Sequence, residues 1–282
     1  MKSLLMLGCI VVGISNIAPT FLFHSNSTQL LAQTNPSSPT QTSPLVSAGT
    51  NLVRLERYQI ESEMAITGDI PGTSFASVAR VNSSVESPSK INSQITFISP
   101  NGLEGKTYQV VSDGSQVWIY NAATNQYSVS ELKQFLQTRE GFLIGTLSHF
   151  YLTTRSNIGS STIATNLLAS IPEDRLVRYF QIFSQINLQN SVIKDETING
   201  KNYQVYDLNA SNQGFETTAY VNLESATIER VDLSGTKDGL QLASQEKILN
   251  QNLPDSIPPE TFSFSPPEDA EQVTQQIMIQ PF

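Results

Sequence analysis

The chain predicts a mainly β fold with α: a curved antiparallel sheet in a single domain, with helices inserted in the middle. Three observations carry this. Residues 58–129 alternate in short runs bounded by turn signals, and residues 192–249 do so again. Residues 130–186 between them switch to helical spacing. Asp113-Gly114 and Asn199-Gly200 each sit between two such runs, a strong short-range hairpin signal.

The first segment reads as an export signal over residues 1–32. Lys2 precedes the apolar run Leu4–Ile14, and Leu30-Leu31-Ala32 offers a small residue at a cleavage point. Two alternatives stay open: an uncleaved anchor over Leu4–Phe23, interrupted by Ser15, Asn16 and Pro19, and a lipid anchor at Cys9. Residues 33–49 follow as a Ser/Thr/Pro linker with little to bury, expected to be disordered. The domain is expected to cover residues 50–282.

Within it, Tyr58, Ile60, Ser62, Met64 and Ile66 share one face of a long first strand. Residues 74–85 form a second, and Ile91, Ser93, Ile95 and Phe97 mark a third, closed by Pro100-Asn101-Gly102. Tyr108–Val111 and Val117–Tyr120 flank the Asp113-Gly114 turn. Small residues recur among large ones on these faces. Ser128-Val129-Ser130-Glu131 has the spacing of a capping box and predicts a helix start. Leu132, Phe135 and Leu136 follow, then the apolar stretch GFLIGTLSHFYL at 141–152. Ser170–Glu173 is a second capping box, ahead of a stripe of Leu176, Phe180, Phe183 and Ile186. Strands then return at 192–198, 201–208, 215–223, 227–233 and 241–249.

The run Val117-Trp118-Ile119-Tyr120 poses a question, because successive side chains of a strand face opposite ways. Large residues on both faces need two covers. The helices must bury their own stripe, and the sheet is the large apolar surface at hand.

Composition excludes several kinds of chemistry. Residues 1–32 contain the sole cysteine, Cys9, and one of the two histidines, His24. The remainder keeps only His149, which rules out a cysteine nucleophile, a disulfide framework and a multi-histidine metal cluster. Lys and Arg number 16 against 25 Asp and Glu, a balance unsuited to nucleic acid. His149 lies in an apolar segment with no Gly-x-Ser-x-Gly elbow, and no spacing singles out a carboxylate pair. No enzyme activity, metal or cofactor is expected.

Two motifs point to a family. Asp113-Gly114 with Trp118, Tyr120, Asn121, Gln126 and Tyr127 resembles the hairpin of LolA-type outer-membrane lipoprotein carriers. Phe262-Ser263-Phe264 with Pro266-Pro267 and Ala270 resembles the close of the same superfamily, with Asp269 where a glycine is usual. The resemblance covers residues 51–273, and its long middle is closer to the larger LolA-like proteins. It implies an unclosed β-barrel lidded by helices, periplasmic, whose hydrophobic cavity holds acyl chains of lipids or lipoproteins. Membrane-bound donor and acceptor proteins would be its partners. On this reading Trp118 and Tyr120, or Val117 and Ile119 on the opposite face, line the cavity with Ile95 and Phe97. Phe142, Leu143, Leu147 and Phe150 form the lid. Arg54, Arg57 and Arg80 are the candidates for the family's lid-contacting arginine. The alternative is an envelope-stress sensor or assembly module on the same scaffold, with no carrier activity.

Overall fold

A computed structural model of the chain describes residues 43–70, 73–99, 102–158, 192–210, 215–237 and 240–274. The export segment, the second capping box and the 176–186 stripe lie outside these residues.

Six strands come first: β1 (Arg57–Ile70), β2 (Thr73–Glu86), β3 (Lys90–Ile98), β4 (Glu104–Asp113), β5 (Gln116–Asn121) and β6 (Gln126–Glu131). Five follow the helical middle: β7 (Val192–Ile198), β8 (Lys201–Ala210), β9 (Phe215–Asn222), β10 (Thr227–Lys237) and β11 (Leu240–Asn252). Each run is an antiparallel meander, and the long strand β11 returns beside β1 to join them. The short strand β12 (Glu271–Gln272) pairs in parallel with β6. The result is one sheet in the order β12-β6-β5-β4-β3-β2-β1-β11-β10-β9-β8-β7, with two free edges rather than a closed barrel. Gly114 and Gly200 adopt the positive φ that their tight turns need.

The inner face carries the core. Tyr58, Ile60, Val81, Ile91, Ile95 and Tyr108 are all buried there, under the helical middle. The described part of that middle is α2 (Leu132–Phe135), a 3-10 helix (Arg139–Ile144) and α3 (Thr146–Ile158). No described helix is long and apolar enough to cross a membrane.

Two expectations are corrected. The capping box at 128–131 does not form: these residues are the end of β6, and Glu131 makes no side-chain cap. Pairing with β5 decides it, since Ser128 opposite Ile119 is a buried inward position. The linker is also shorter than expected. Residues 44–49, read as linker from their Ser and Pro, begin helix α1 (Pro44–Arg54). Proline is tolerated in a first helical turn. Leu45, Ala48 and Leu52 give the helix a face to bury, and all three are within 6% of complete burial.

Candidate functional site

The inner face divides into two halves with different covers. Over β1–β5 it is sealed. Leu143 and Ile144 of the 3-10 helix are fully buried, with Leu147, Tyr151 and Leu152 of α3 beside them. Phe97 meets Phe142 edge-on at 6.5 Å and Tyr108 at 6.1 Å. Tyr58 meets Tyr151 edge-on at 5.1 Å. The small inward residues noted in the sequence make room for this cover. Ser83 donates to the carbonyl of Ile144 at 3.3 Å and Ser93 to that of Leu143, also at 3.3 Å. A larger side chain at either position would fill the space that the 3-10 helix occupies.

Polar groups fix the cover in place. Glu246 of β11 points inward and is 2% exposed. Its Oε2 accepts the N–H of Thr146 at 2.6 Å and of Leu147 at 3.3 Å, the otherwise unpaired donors at the start of α3. Ser62 donates to Oε1 at 2.7 Å. Burial pushes the Glu246 carboxyl above its ordinary value, against these hydrogen bonds. Gly145 has φ +80°, and a Cβ there would stand 2.5 Å from Oε1 of Glu246. On the other side, Nε2 of His149 lies 3.0 Å from the carbonyl oxygen of Leu136, so this nitrogen carries the proton and donates. Burial holds the His149 pKa down. A Cβ on Gly141 would lie 2.5 Å from that ring. The two glycines of GFLIG are thus required by two ionisable side chains. Arg155 of α3, buried, donates to Ser87 at the β2–β3 turn.

Among the described residues, the cover over β8–β11 is lighter. Helix α1 lies here, with Leu45 and Ala48 against Tyr206, Ala219 and Val221. Tyr206 also accepts hydrogen bonds from the Ser43 hydroxyl at 3.1 Å and the Leu45 N–H at 3.3 Å. The register also puts Leu208, Val231, Leu233 and Ile248 on the inner face, each only half-buried, with Leu208 packed on the α1 cluster and Ile248 on the sealed one. This apolar patch was not singled out from the sequence. Its one signal was the alternation of 227–233 and 241–249, which does not tell a covered face from an open one.

The sequence-predicted cavity residues fall on two faces. Val117, Ile119, Ile95 and Phe97 are all at most 4% exposed and belong to the sealed inner cluster. Leu143 and Leu147 are buried in the same cluster, and Phe142 and Phe150 pack on it half-buried. Trp118 and Tyr120 lie on the outer face. Their cover is the C-terminal segment: the Phe264 ring sits 6.4 Å from Trp118, 5.8 Å from Tyr120 and 6.3 Å from Tyr127. The second face of β5 is therefore covered by the chain's own end. Of the three arginines, Arg80 is exposed on the outer face, opposite Glu63 and Thr96. Arg57 donates to the carbonyl of Asp255. Among the described residues, no group of three His, Cys, Asp or Glu could hold a metal.

No family model matches the chain, and no curated protein matches it. Solved structures do. An uncharacterised conserved protein of Thermus thermophilus is 13% identical, with 80% of this chain and 97% of that one covered and a TM-score of 0.40. A putative outer membrane lipoprotein-sorting protein domain of Vibrio parahaemolyticus is 12% identical, covering 78% and 95%, with a TM-score of 0.31. A LolA superfamily protein of Nitrosomonas europaea is 14% identical, covering 79% and 98%, with a TM-score of 0.32. Likenesses this distant carry no argument about activity. Structures of LolA superfamily proteins are among those to which the chain is similar.

Proposed function

We propose that the protein is a periplasmic binding protein that holds acyl chains of lipids or lipoproteins on the inner face of its sheet. The observation that carries this reading is the asymmetry of that face. One half is sealed by the 3-10 helix and α3, which makes it a rigid wall. The other half keeps Val231 and Leu233 only half-buried, between Leu208 on the α1 cluster and Ile248 on the sealed one. An acyl chain laid there gains about 0.8 kcal/mol for each methylene removed from water. Binding of this kind needs no covalent chemistry. His149, the histidine a hydrolase would need, already donates to the Leu136 carbonyl in the sealed half. Val117, Ile119, Ile95 and Phe97, read from sequence as cavity lining, become on this account the wall beside the site, and Leu143 and Leu147 become its fixed cover.

Native mass spectrometry of detergent-free protein tests this. The expected result is a co-purifying or added fatty acyl species that is lost on Leu233→Arg, with the circular dichroism spectrum unchanged. A folded protein that retains no acylated species under any loading would overturn it.

A further inference from the structure

The outer face of the four central strands carries polar side chains in an unusual arrangement. Asn252, Gln59, Ser84 and Asn92 lie in register across β11, β1, β2 and β3. Two residues along each strand, Asn250, Glu61, Asn82 and Gln94 form a second row. Together they line an open recess of about 400 Å³, walled by Thr261 of the C-terminal segment. That volume is within the range of ordinary ligand sites.

Three features separate this strip from a plain solvated surface. First, asparagine is a poor strand former, yet it occupies four outward positions in the strip, two on β11 and one each on β2 and β3. Choices against local propensity concentrate at functional sites. Second, the two rows differ. In the first, Gln59 donates to Ser84 at 3.2 Å, and Asn92 donates to the Thr261 carbonyl at 2.7 Å, which positions the wall. In the second, Asn82, Gln94 and Asn250 are exposed and line the recess, with no side-chain hydrogen bond among the described residues. Third, a β-bulge interrupts the β1–β11 pairing at Glu61/Ser62, beside the strip. Bulges of this kind re-aim side chains and are frequent next to sites.

The chemistry of the strip selects its ligand. An amide offers both a donor pair and an acceptor, which suits the vicinal hydroxyls of a sugar. Glu61 is the one charged member of the two rows, and it disfavours anionic ligands. The strands repeat at about 4.8 Å, close to the length of one hexopyranose unit along a glycan. Four strands thus offer one polar side chain per sugar in each row. The second row continues in register only to Gln109 on β4, since the C-terminal segment covers Tyr120 and Tyr127 beyond it. We propose that this outer strip binds a neutral oligosaccharide, independently of the acyl site on the inner face.

Titration calorimetry of the full chain with chitotetraose and with maltotetraose tests the proposal. At least one should bind saturably, in the range of roughly 10 µM to 1 mM. The double variant Asn82→Thr/Gln94→Thr exposes no apolar surface and raises strand propensity, so it should fold. It should weaken binding by about tenfold or more, while the wild-type acyl loading stays unchanged. Absence of binding by both sugars, binding that the double variant retains in full, or binding of dextran sulfate alone would each overturn it.

Discussion

The backbone N–H of Thr146 donates to Oε2 of Glu246 at 2.6 Å across a sequence separation of 100 residues. This contact ties the helical middle to the strand that joins the two meanders. A carboxyl group at a helix N-terminus is stabilised by the unpaired N–H groups and by the helix dipole. Its burial adds a pH signature.

Burial raises the folded-state pKa of Glu246 above its ordinary 4.5. The folded chain then holds this proton more tightly than the unfolded chain. The associated stability is full below about 4.5 and declines as pH rises through the folded value. Glu246→Gln keeps an acceptor for Thr146 and should flatten that slope in urea unfolding followed from pH 4 upward. Glu246→Ala leaves the N–H groups of Thr146 and Leu147 without their acceptor and should cost about 1–3 kcal/mol.

His149 has the opposite sign. Burial holds its folded pKa below 6.5. Its contribution is complete above 6.5 and is lost as pH falls through the folded value. His149→Gln preserves a donor to the Leu136 carbonyl and should remove the corresponding loss of unfolding midpoint on acidification.

Gly145 and Gly200 share a φ of +80° but not their surroundings. A Cβ on Gly200 meets nothing within 4 Å, whereas one on Gly145 meets Glu246. Gly200→Ala should therefore cost about 1–2 kcal/mol from backbone strain alone. Gly145→Ala should cost clearly more, and Gly145→Ala combined with Glu246→Ala should recover part of the difference in a double-mutant cycle.

Phe264 packs beside the chain's single tryptophan. Phe264→Ala should red-shift Trp118 emission and raise its acrylamide quenching, with a loss of stability of about 1–2 kcal/mol. Emission that stays unchanged would mean that the C-terminal segment does not cover β5 in solution.

The strands were legible because inward and outward positions alternate cleanly, as in Ile91, Ser93, Ile95 and Phe97. The bounds of β7, β8 and β9 follow the expected runs to within two residues. The helix start at 128–131 misread because Ser128 serves equally as a cap or as a small inward residue, and strand pairing chooses between them. Helix α1 was hidden by the Ser and Pro around it, since its burial depends on Tyr206 and Ala219, far along the chain. The face of Trp118 could not be read locally either. Both faces of β5 are apolar, and only the return of the chain end shows that Phe264 covers one and the 3-10 helix region the other. The Glu246 contact had no sequence signal beyond an acidic residue in a strand.

The central claim is that acyl chains bind on the inner face near Leu233 and not beside Trp118. The most direct measurement places a reporter there: Leu233→Trp with Trp118→Phe, compared with the wild type, each titrated with a lauroylated peptide without detergent. The account predicts a saturable blue shift for the new tryptophan and no change for Trp118. A response from Trp118 with none at position 233, or no response from either, would contradict it.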